Sequence, residues 1–214
     1  MNKRILILAL SLVLVATAVV SGTLAWLTDS TGPVTNTFSP ANIDIDLTET
    51  FNAKSSASAT ANDCWKADMI PGYTYTKDPV VTVKANSVDC YLFVEFKELN
   101  NAANYLTYDS TLDDTDSGWT QGTGTGEGKN GVPTNVWFRE VTESANDQSW
   151  HLLKDDKVTI NGTAVTKTYM DTLYGTNPTA QAPELVYTAY ATQLYKDNTN
   201  KFTPAEAWTN APKS

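Results

Sequence analysis

The stretches YTYTKDPVVTVKA (residues 73–85) and DCYLFVEFKEL (residues 89–99) decide the fold of this chain. Both are rich in β-branched and aromatic side chains, which are typical of β-strands. Only a short Asn-Ser-Val link separates them, so the two stretches either pair as a hairpin or cross from one sheet to another. In both cases the segment predicts strands rather than helices.

The rest of the chain shows the same character. In NIDIDLTE (residues 42–49), Ile43, Ile45 and Leu47 alternate with polar residues, which predicts a half-buried antiparallel strand. An Asn161-Gly162 pair marks a tight turn. Further predicted strands are NVWFREV (135–141), SWHLLK (149–154), KVTI (157–160) and ELVYTAYATQLY (184–195). This pattern predicts an all-β fold, a jelly roll or β-sandwich.

Helix signals are few. Thr203-Pro-Ala-Glu206 is a capping box with proline at the first helical position, which predicts a short C-terminal helix that docks Trp208. A weaker helix signal covers residues 100–105. Residues 52–62 and 109–131 are rich in Gly, Ser, Thr and Asp and are predicted to be mobile. We expect a partly irregular insertion at about residues 100–183 of a domain that spans residues 41–214.

The N-terminus has the features of an export signal. Lys3 and Arg4 precede an apolar stretch, residues 5–20, that is short for a bilayer span of roughly 20 residues. Thr23 and Ala25 supply the small side chains that signal peptidases require before the cut. We therefore predict that residues 1–25 are a signal peptide and that cleavage occurs before Trp26. The alternative is an uncleaved membrane anchor.

The charge of the chain limits its partners. The formal net charge is −9, and removal of Lys3 and Arg4 with the signal peptide makes it −11 (−9 − 2), because all 24 acidic residues lie downstream. Such an acidic surface repels nucleic acid and anionic lipid and favours solubility. We therefore expect no nucleic-acid partner.

Two cysteines, Cys64 and Cys90, follow the predicted signal peptide. In an exported protein an even number of cysteines suggests a disulfide, which here would contribute on the order of 3 kcal/mol. The alternative is a pair of buried free thiols. A metal site at this pair is weakly supported, because two ligands do not make one.

Motifs for catalysis are missing from the sequence. His151 is the single histidine, and its apolar neighbours in a predicted strand favour a structural role. Asp113, Asp114 and Asp116 lack the oxygen spacing of an EF-hand, so a solvated acidic loop is the preferred interpretation. Paired glycosidase carboxylates stay open, because their spacing is a property of the fold. We predict no enzyme activity, no cofactor and no metal.

Two tryptophans suggest a different role. If they are exposed, Trp119 and Trp137 could stack on sugar rings. Core packing is the more frequent use of a strand residue such as Trp137, whereas Trp119 lies in a polar loop and is harder to explain by packing.

Three blocks of the sequence show a pattern in a fixed order: SGTLAWLTDSTGPVTNTFSPANIDIDLTE (21–49), DMIPGYTYTKDPVVTVKANSVDCYLFVEF (68–96) and VYTAYATQLYKDNTNKFTPAEAWTNA (186–211). Together they resemble the TasA/camelysin family of secreted matrix proteins. The resemblance implies a bacterial jelly-roll protein whose signal is cut by a SipW-type signal peptidase and which forms the extracellular fibres of biofilms. Further partners would be other matrix proteins or polysaccharide.

The resemblance also implies how such fibres assemble. The N-terminal segment of one subunit, residues 26–40 with Trp26, Leu27, Val34 and Phe38, would complete the sheet of the next subunit. The alternative is that this segment folds back on its own subunit.

Two further functions are considered. One is a camelysin-like surface metallopeptidase, which conflicts with the presence of a single histidine, His151. The other is a carbohydrate-binding wall or matrix module that uses Trp119 and neighbouring aromatic residues.

Overall fold

A computed structural model describes residues 42–49, 68–115, 117–176 and 178–213, which belong to one compact unit, Ala41–Ser214. Several predictions about single residues lie outside these ranges. They concern the cleavage site (Thr23, Ala25, Trp26), the donor segment (Trp26, Leu27, Val34, Phe38), Cys64 and Asp116. The loop at residues 52–62 also lies outside them. Among the described residues, no helix has the length and apolar character that a bilayer crossing requires.

The described residues form ten strands and three short helices. The strands are β1 (Ile45–Thr48), β2 (Thr74–Thr76), β3 (Val80–Val83), β4 (Cys90–Leu99), β5 (Leu106–Thr107), β6 (Thr120–Gln121), β7 (Val136–Val141), β8 (Gln148–His151), β9 (Lys157–Ile160) and β10 (Glu184–Gln193). The helices are α1 (Ala102–Tyr105), α2 (Lys167–Tyr174) and α3 (Pro204–Asn210), and a 3-10 turn covers Lys154–Asp156.

The strands build three antiparallel sheets. A four-stranded sheet has the order β10-β4-β7-β6, and a three-stranded sheet has the order β1-β3-β8. These two sheets enclose a common core and form a sandwich. A smaller sheet has the order β2-β9-β5. The prediction of an all-β sandwich with a short C-terminal helix is therefore confirmed.

The stretch that decides the fold crosses between sheets. Residues 73–85 divide at Lys77–Pro79 into β2 and β3, and β3 pairs with β1 and β8 but not with β4. β4 lies in the opposite sheet, between β10 and β7. Of the two alternatives for residues 73–99, the crossing is the correct one.

The main core lies between the two sheets. Val81 and Val83 of β3 meet Leu92 and Val94 of β4, and all four are at most 2 % exposed. Ile43, Ile45 and Leu47 pack against this core from one face of the first described segment, as their alternation predicts. Full burial of each large aliphatic side chain stabilises the fold by about 1.5–3 kcal/mol.

A second core covers the outer face of β4. Tyr91 and Phe93 of this strand pack with Phe138, and the centroid of the Trp208 ring lies 5.3 Å from that of Phe93. Helix α3 brings Trp208 there. Because both of its faces are covered, β4 is buried from Cys90 to Val94.

The predicted capping box starts helix α3. The Thr203 side chain accepts a hydrogen bond from Glu206 N at 3.3 Å, and the Glu206 carboxylate accepts one from Thr203 N at 2.8 Å. Pro204 occupies the first helical position, where its missing N–H costs nothing. These contacts hold the helix in the place where Trp208, which is half-buried, packs against Phe93.

Residues 100–183, predicted as a partly irregular insertion, contribute strands both to the sandwich and to the small sheet. They contain β5 to β9, and β7 is an inner strand of the four-stranded sheet. They also contain α2, which the sequence analysis missed, whose N-cap is Thr166 and whose Leu173 packs into the core of the small sheet. The weaker helix prediction at residues 100–105 is confirmed by α1.

The loop at residues 109–131 differs from the prediction of a mobile segment. Its two large apolar side chains, Leu112 and Trp119, belong to the main core and are 2 % and 8 % exposed. Asn130 closes the glycine-rich part, because its side chain accepts from Thr123 N at 2.9 Å and donates to Gln121 O at 2.9 Å. Packing and hydrogen bonds therefore anchor a segment whose composition suggested mobility.

Candidate functional site

The longest edge strand among the described residues is β10. In the described part of the chain, β10 pairs with β4 alone, over all ten of its residues. Leu194 N donates to Asp89 O at 2.9 Å, just beyond the strand, while Phe96 N donates away from β10, to Asn135 O. In an antiparallel ladder these directions alternate. The residues whose backbone N–H and C=O point away from β4 are therefore Leu185, Tyr187, Ala189, Ala191 and Gln193.

These outward backbone groups have no partner among the described hydrogen bonds. The eight residues from Leu185 to Thr192 are all half-buried, whereas the first five residues of the adjacent strand β4 are all buried. A strand of ten residues extends over about 34 Å. β10 thus offers a long row of unpaired hydrogen-bonding groups, with side chains packed on both faces.

The sequence of β10 does nothing to protect this edge. Exposed edge strands usually carry lysine, proline or a bulge, or they are very short, because an open edge recruits other strands. β10, ELVYTAYATQ, contains no lysine and no proline, and its one charged residue is Glu184 at the start. The other sheet edges of the sandwich are four residues long (β1 and β8) or two (β6).

The inner face of β10 packs against aromatic and charged side chains. The Tyr187 ring stacks on Phe96, with 4.7 Å between the ring centroids and 19° between the planes. The Lys77 Nζ atom lies 5.9 Å from the centroid of Tyr187 and forms an ion pair with Glu49 at 2.8 Å. Both charged side chains are nearly buried, at 12 % and 11 % exposure. The edge is therefore preformed, which lowers the entropic cost of adding a strand.

The Tyr187 hydroxyl has an unusual environment. The oxygen is buried and, among the described residues, has no hydrogen-bond partner. Burial, together with nearby acidic groups that include Glu49, raises the pKa of Tyr187 far above its usual range. The hydroxyl stays neutral and contributes no charge to the edge.

The structural role of His151 stays a prediction. The residue ends β8, its side chain is 58 % exposed, and its Nδ1 lies 3.0 Å from Asp156 Oδ1. Its polar edge is thus both bonded and open to solvent. Within the described ranges, no three His, Cys, Asp or Glu side chains come together as a metal-binding group.

Trp119 and Trp137 are not exposed stacking platforms, and for Trp137 the favoured interpretation, core packing, is confirmed. Both are core residues, with 8 % and 6 % of their surface exposed. Trp119 directly precedes β6, whose pairing with β7 places this residue in the core between the sheets. Neither ring presents an open face to a sugar.

The acidic loop borders an open cleft of about 1310 Å³. Asp113 and Asp114 line it with Glu98 and Asp109, while Tyr108 donates a hydrogen bond to the Glu98 carboxylate. The aromatic floor of the cleft is used by the protein itself, because one face of Phe96 is stacked against a β10 tyrosine. The residues that line the cleft are mostly polar or charged.

Cys90 is fully buried at the start of β4. Burial, with a smaller effect of the Asp89 carboxylate, raises the pKa of its thiol to about 11. Since Cys64 lies outside the described residues, the disulfide between the two cysteines stays a prediction.

The sequence analysis found β10 as a strand but did not find that it is an edge. A usable signal was present: residues 184–193 have apolar or small residues on both faces and lack the lysine and proline that guard an edge. The same composition also fits a central strand such as β4, so only the pairing of the strands separates the two cases.

Comparison of the chain with protein-family models, with curated proteins and with solved structures finds no match in any of the three. The resemblance to the TasA/camelysin family therefore depends on the three sequence blocks alone.

Proposed function

We propose that the chain is a secreted structural subunit of the extracellular matrix fibres of a bacterial biofilm, assembling head to tail. Residues 26–40 of one copy would add as a strand to the free edge of β10 in the next copy. The observation that carries the proposal is this ten-residue edge, whose outward groups have no partner among the described hydrogen bonds. Strand addition uses such main-chain groups for affinity and side-chain pockets for specificity.

The length and charge of the donor segment suit this edge. The segment has fifteen residues (26 to 40), enough to cover an edge of about 34 Å with residues to spare as a linker. Its one charged side chain is Asp29, and the edge carries only Glu184. Because neither side presents a row of charges, pairing meets little electrostatic repulsion.

Polymerisation follows from the positions of the two partners in the chain. The donor precedes the domain and the acceptor is its last strand, so each copy has one of each and the contact is heterologous. A heterologous contact that does not close on itself generates a filament. Cleavage before Trp26 would release the donor from the membrane, so a SipW-type signal peptidase would control the start of assembly.

The main alternative is that residues 26–40 pair with β10 of their own copy. This arrangement would pair the outward backbone groups of β10 within one molecule, so the protein would remain a monomer. The two arrangements differ in concentration dependence, since only the intermolecular one grows with protein concentration.

Two other functions have less support. A metallopeptidase needs about three zinc ligands, and the described part of the chain holds no such group. A glycan-binding module that stacks sugars on Trp119 conflicts with the burial of that ring. The absence of enzyme activity and of a nucleic-acid partner remain predictions, which casein cleavage and DNA retention assays test.

A pair of proline variants tests the proposal. Ala191 directs its N–H outward. A191P therefore removes one hydrogen-bond donor from the free edge and leaves the hydrogen bonds to β4 intact. Thr192, the neighbour, directs its N–H towards Tyr91 of β4, so T192P breaks the sheet itself. Filament growth of the chain that starts at residue 26 is followed by electron microscopy and light scattering, and stability by urea unfolding.

We expect A191P to keep the stability of the parent chain within about 1 kcal/mol and to lose filament growth. T192P should lower the free energy of unfolding by about 1–3 kcal/mol, whether or not this variant forms filaments. Filaments of A191P that grow like those of the parent would exclude β10 as the acceptor. If the parent chain itself remains monomeric at high concentration, the fibre proposal is wrong.

A further inference from the structure

The chain contains two Asn-Gly pairs, Asn130-Gly131 and Asn161-Gly162. Asn-Gly favours tight turns, and it also permits a reaction within the chain. The backbone nitrogen of the glycine attacks the side-chain amide carbon of the asparagine, because glycine has no Cβ to obstruct the approach. Both asparagines are half-buried, so the two pairs differ in their contacts rather than in the exposure of the amide.

The first pair is restrained by its own contacts. Gly131 N donates to Gly124 O at 2.9 Å, so the nitrogen that would attack is directed at another acceptor. Asn130 Nδ2 donates to Gln121 O at 2.9 Å, which holds the group that would have to leave. A Cβ on Gly131 would lie 2.5 Å from Ala205 Cβ, so helix α3 packs closely on this glycine. The attack therefore requires the loop to open first.

The second pair lacks these restraints. Gly162 is exposed, and no described hydrogen bond has its backbone nitrogen as the donor. Asn161 Nδ2 makes one long hydrogen bond, to Asn104 O at 3.4 Å. The attacking nitrogen and the leaving amide nitrogen are therefore both held less firmly than in the first pair.

The side-chain oxygen of Asn161 accepts three hydrogen bonds. Thr163 N donates at 3.0 Å, Thr163 Oγ1 at 2.7 Å and Ala164 N at 3.2 Å. Negative charge develops on this oxygen when a nucleophile adds to the amide carbon, and donors directed at such an oxygen stabilise the charge. Asn130 Oδ1 accepts two hydrogen bonds, both from backbone N–H groups. The amide of Asn161 is thus the more activated of the two.

We propose that Asn161 is a site of spontaneous deamidation, assisted by its own turn. Gly162 N forms a bond to Asn161 Cγ and loses its proton to water, and the Cγ–Nδ2 bond breaks to release ammonia. Water then opens the cyclic imide at one of its two carbonyls, which gives aspartate or isoaspartate. The steps together consume one water and release one ammonia, so no oxidant or cofactor takes part. The site is independent of the β10 edge and of the fibre proposal.

The product alters the link between β9 and helix α1. Asn161 N donates to Tyr105 O, and the Asn161 carbonyl accepts from Val165 N. A carboxylate has no N–H to donate to Asn104 O, and isoaspartate adds a methylene group to the main chain at this point. Each conversion also adds one negative charge to an acidic protein.

Peptide mapping by mass spectrometry follows both pairs in one sample of the secreted protein. The protein is incubated at mildly alkaline pH, with and without urea, and each Asn-Gly peptide is scored for conversion of the amide to the acid. A methyltransferase specific for isoaspartate detects the rearranged product.

We expect Asn161 to convert at least about tenfold faster than Asn130 in the folded protein, because the Asn130 pair must first break its hydrogen bonds. In urea the two rates should become similar, since only the local sequence then acts. Equal rates in the folded protein, or faster conversion of Asn130, would overturn the proposal.

A pair of variants tests the assistance by the turn. T163V removes the hydroxyl donor and keeps the backbone donor, so Asn161 should convert about tenfold more slowly. T125A, at an exposed residue outside this turn, is the control and should leave the rate unchanged. If Asn161 converts in T163V as fast as in the parent or faster, the hydrogen bonds do not assist the reaction and the proposal fails.

Discussion

The two flanks of the sandwich are closed in opposite ways. At one flank, between β7 and β8, side chains fill the gap: Trp119 and Trp150 enclose the guanidinium of Arg139, and the two indole rings meet edge to face at 6.4 Å. At the other flank, β10 ends the four-stranded sheet with its outer backbone groups unpaired among the described residues. Side chains of the described residues fill the first flank. The second flank ends in a strand whose outer backbone groups have no partners among them.

The two flanks differ in whether they can accept a further strand. A flank closed by aromatic side chains stabilises one molecule and cannot accept a strand, because its edge strands have two and four residues. A long edge without lysine or proline gains most from another strand. The proposed assembly therefore uses β10, and we expect the stability of the monomer to depend on the Trp119 flank.

Deletion of the donor segment is expected to have the largest effect, which is the loss of filament formation at the β10 flank. A chain that lacks residues 26–40 should stay folded and monomeric and form no filaments, because β10 receives no strand. Its free edge should still accept a donor, so it should stop filament growth when mixed with the intact mature chain. Electron microscopy and sedimentation measure both effects. Filament elongation by the truncated chain at the normal rate would refute donor-strand assembly.

The closed flank should dominate the stability of the monomer. Trp119→Ala removes a core side chain and its contact with Arg139, and we expect a loss of about 3–5 kcal/mol in the free energy of unfolding. Tyr174→Ala, at a residue that is 60 % exposed, is the control and should change it by less than about 0.5 kcal/mol. Urea denaturation measures both. Similar small effects of the two variants would show that the flank is not a stabilising element.

The predicted disulfide would act near the centre of the sandwich, where Cys90 begins β4. Mass spectrometry of the non-reduced secreted protein should find two hydrogens fewer than in the reduced chain, and loss of the bond should cost about 3 kcal/mol. Two free thiols in fresh protein would contradict the pairing.

In a Cys64→Ser variant, the Cys90 thiol should react slowly with alkylating reagents at pH 8. Its pKa of about 11, raised by burial, keeps it protonated until the pH approaches that value or the protein unfolds. The reaction is followed by mass spectrometry, with and without urea. Fast labelling of the folded protein at pH 8 would show that Cys90 is accessible.

A smaller effect is expected at the open flank itself. Tyr187→Phe removes a buried hydroxyl that has no partner among the described residues and keeps the ring on Phe96. Since an unsatisfied buried group is costly, the variant should match the parent or gain up to about 1 kcal/mol. Filament growth should not change, because the outward backbone groups are untouched. A loss of stability would indicate a hydrogen bond to a residue outside the described ranges.

The smallest effect is expected at His151, which lies on the closed flank at the end of β8. His151→Gln alters an exposed side chain, so stability should change by less than about 0.5 kcal/mol, and secretion and assembly should continue. A casein-cleaving activity that copurifies with the protein and disappears in this variant would contradict the prediction that the chain is not an enzyme.

The sequence by itself determined the elements that depend on near neighbours along the chain. Alternation of Ile43, Ile45 and Leu47 gives the first strand its buried face, and the Thr203–Glu206 capping box starts helix α3. Composition alone shows that the chain is acidic. Each of these signals lies within one strand or one helical turn, so no knowledge of distant pairing is needed to find it.

Only the tertiary structure decided which strand is an edge and which loop residue is buried. β4 and β10 have similar β-rich compositions, yet β4 has neighbours on both sides and β10 on one. Trp119 is in a polar loop by sequence, and it is buried because β6 pairs with β7 and directs it to Arg139. Edges and such buried loop residues arise from contacts between segments far apart in the chain. Local patterns carry no information about those contacts, which is the physical reason that the candidate acceptor edge became visible only in the folded molecule.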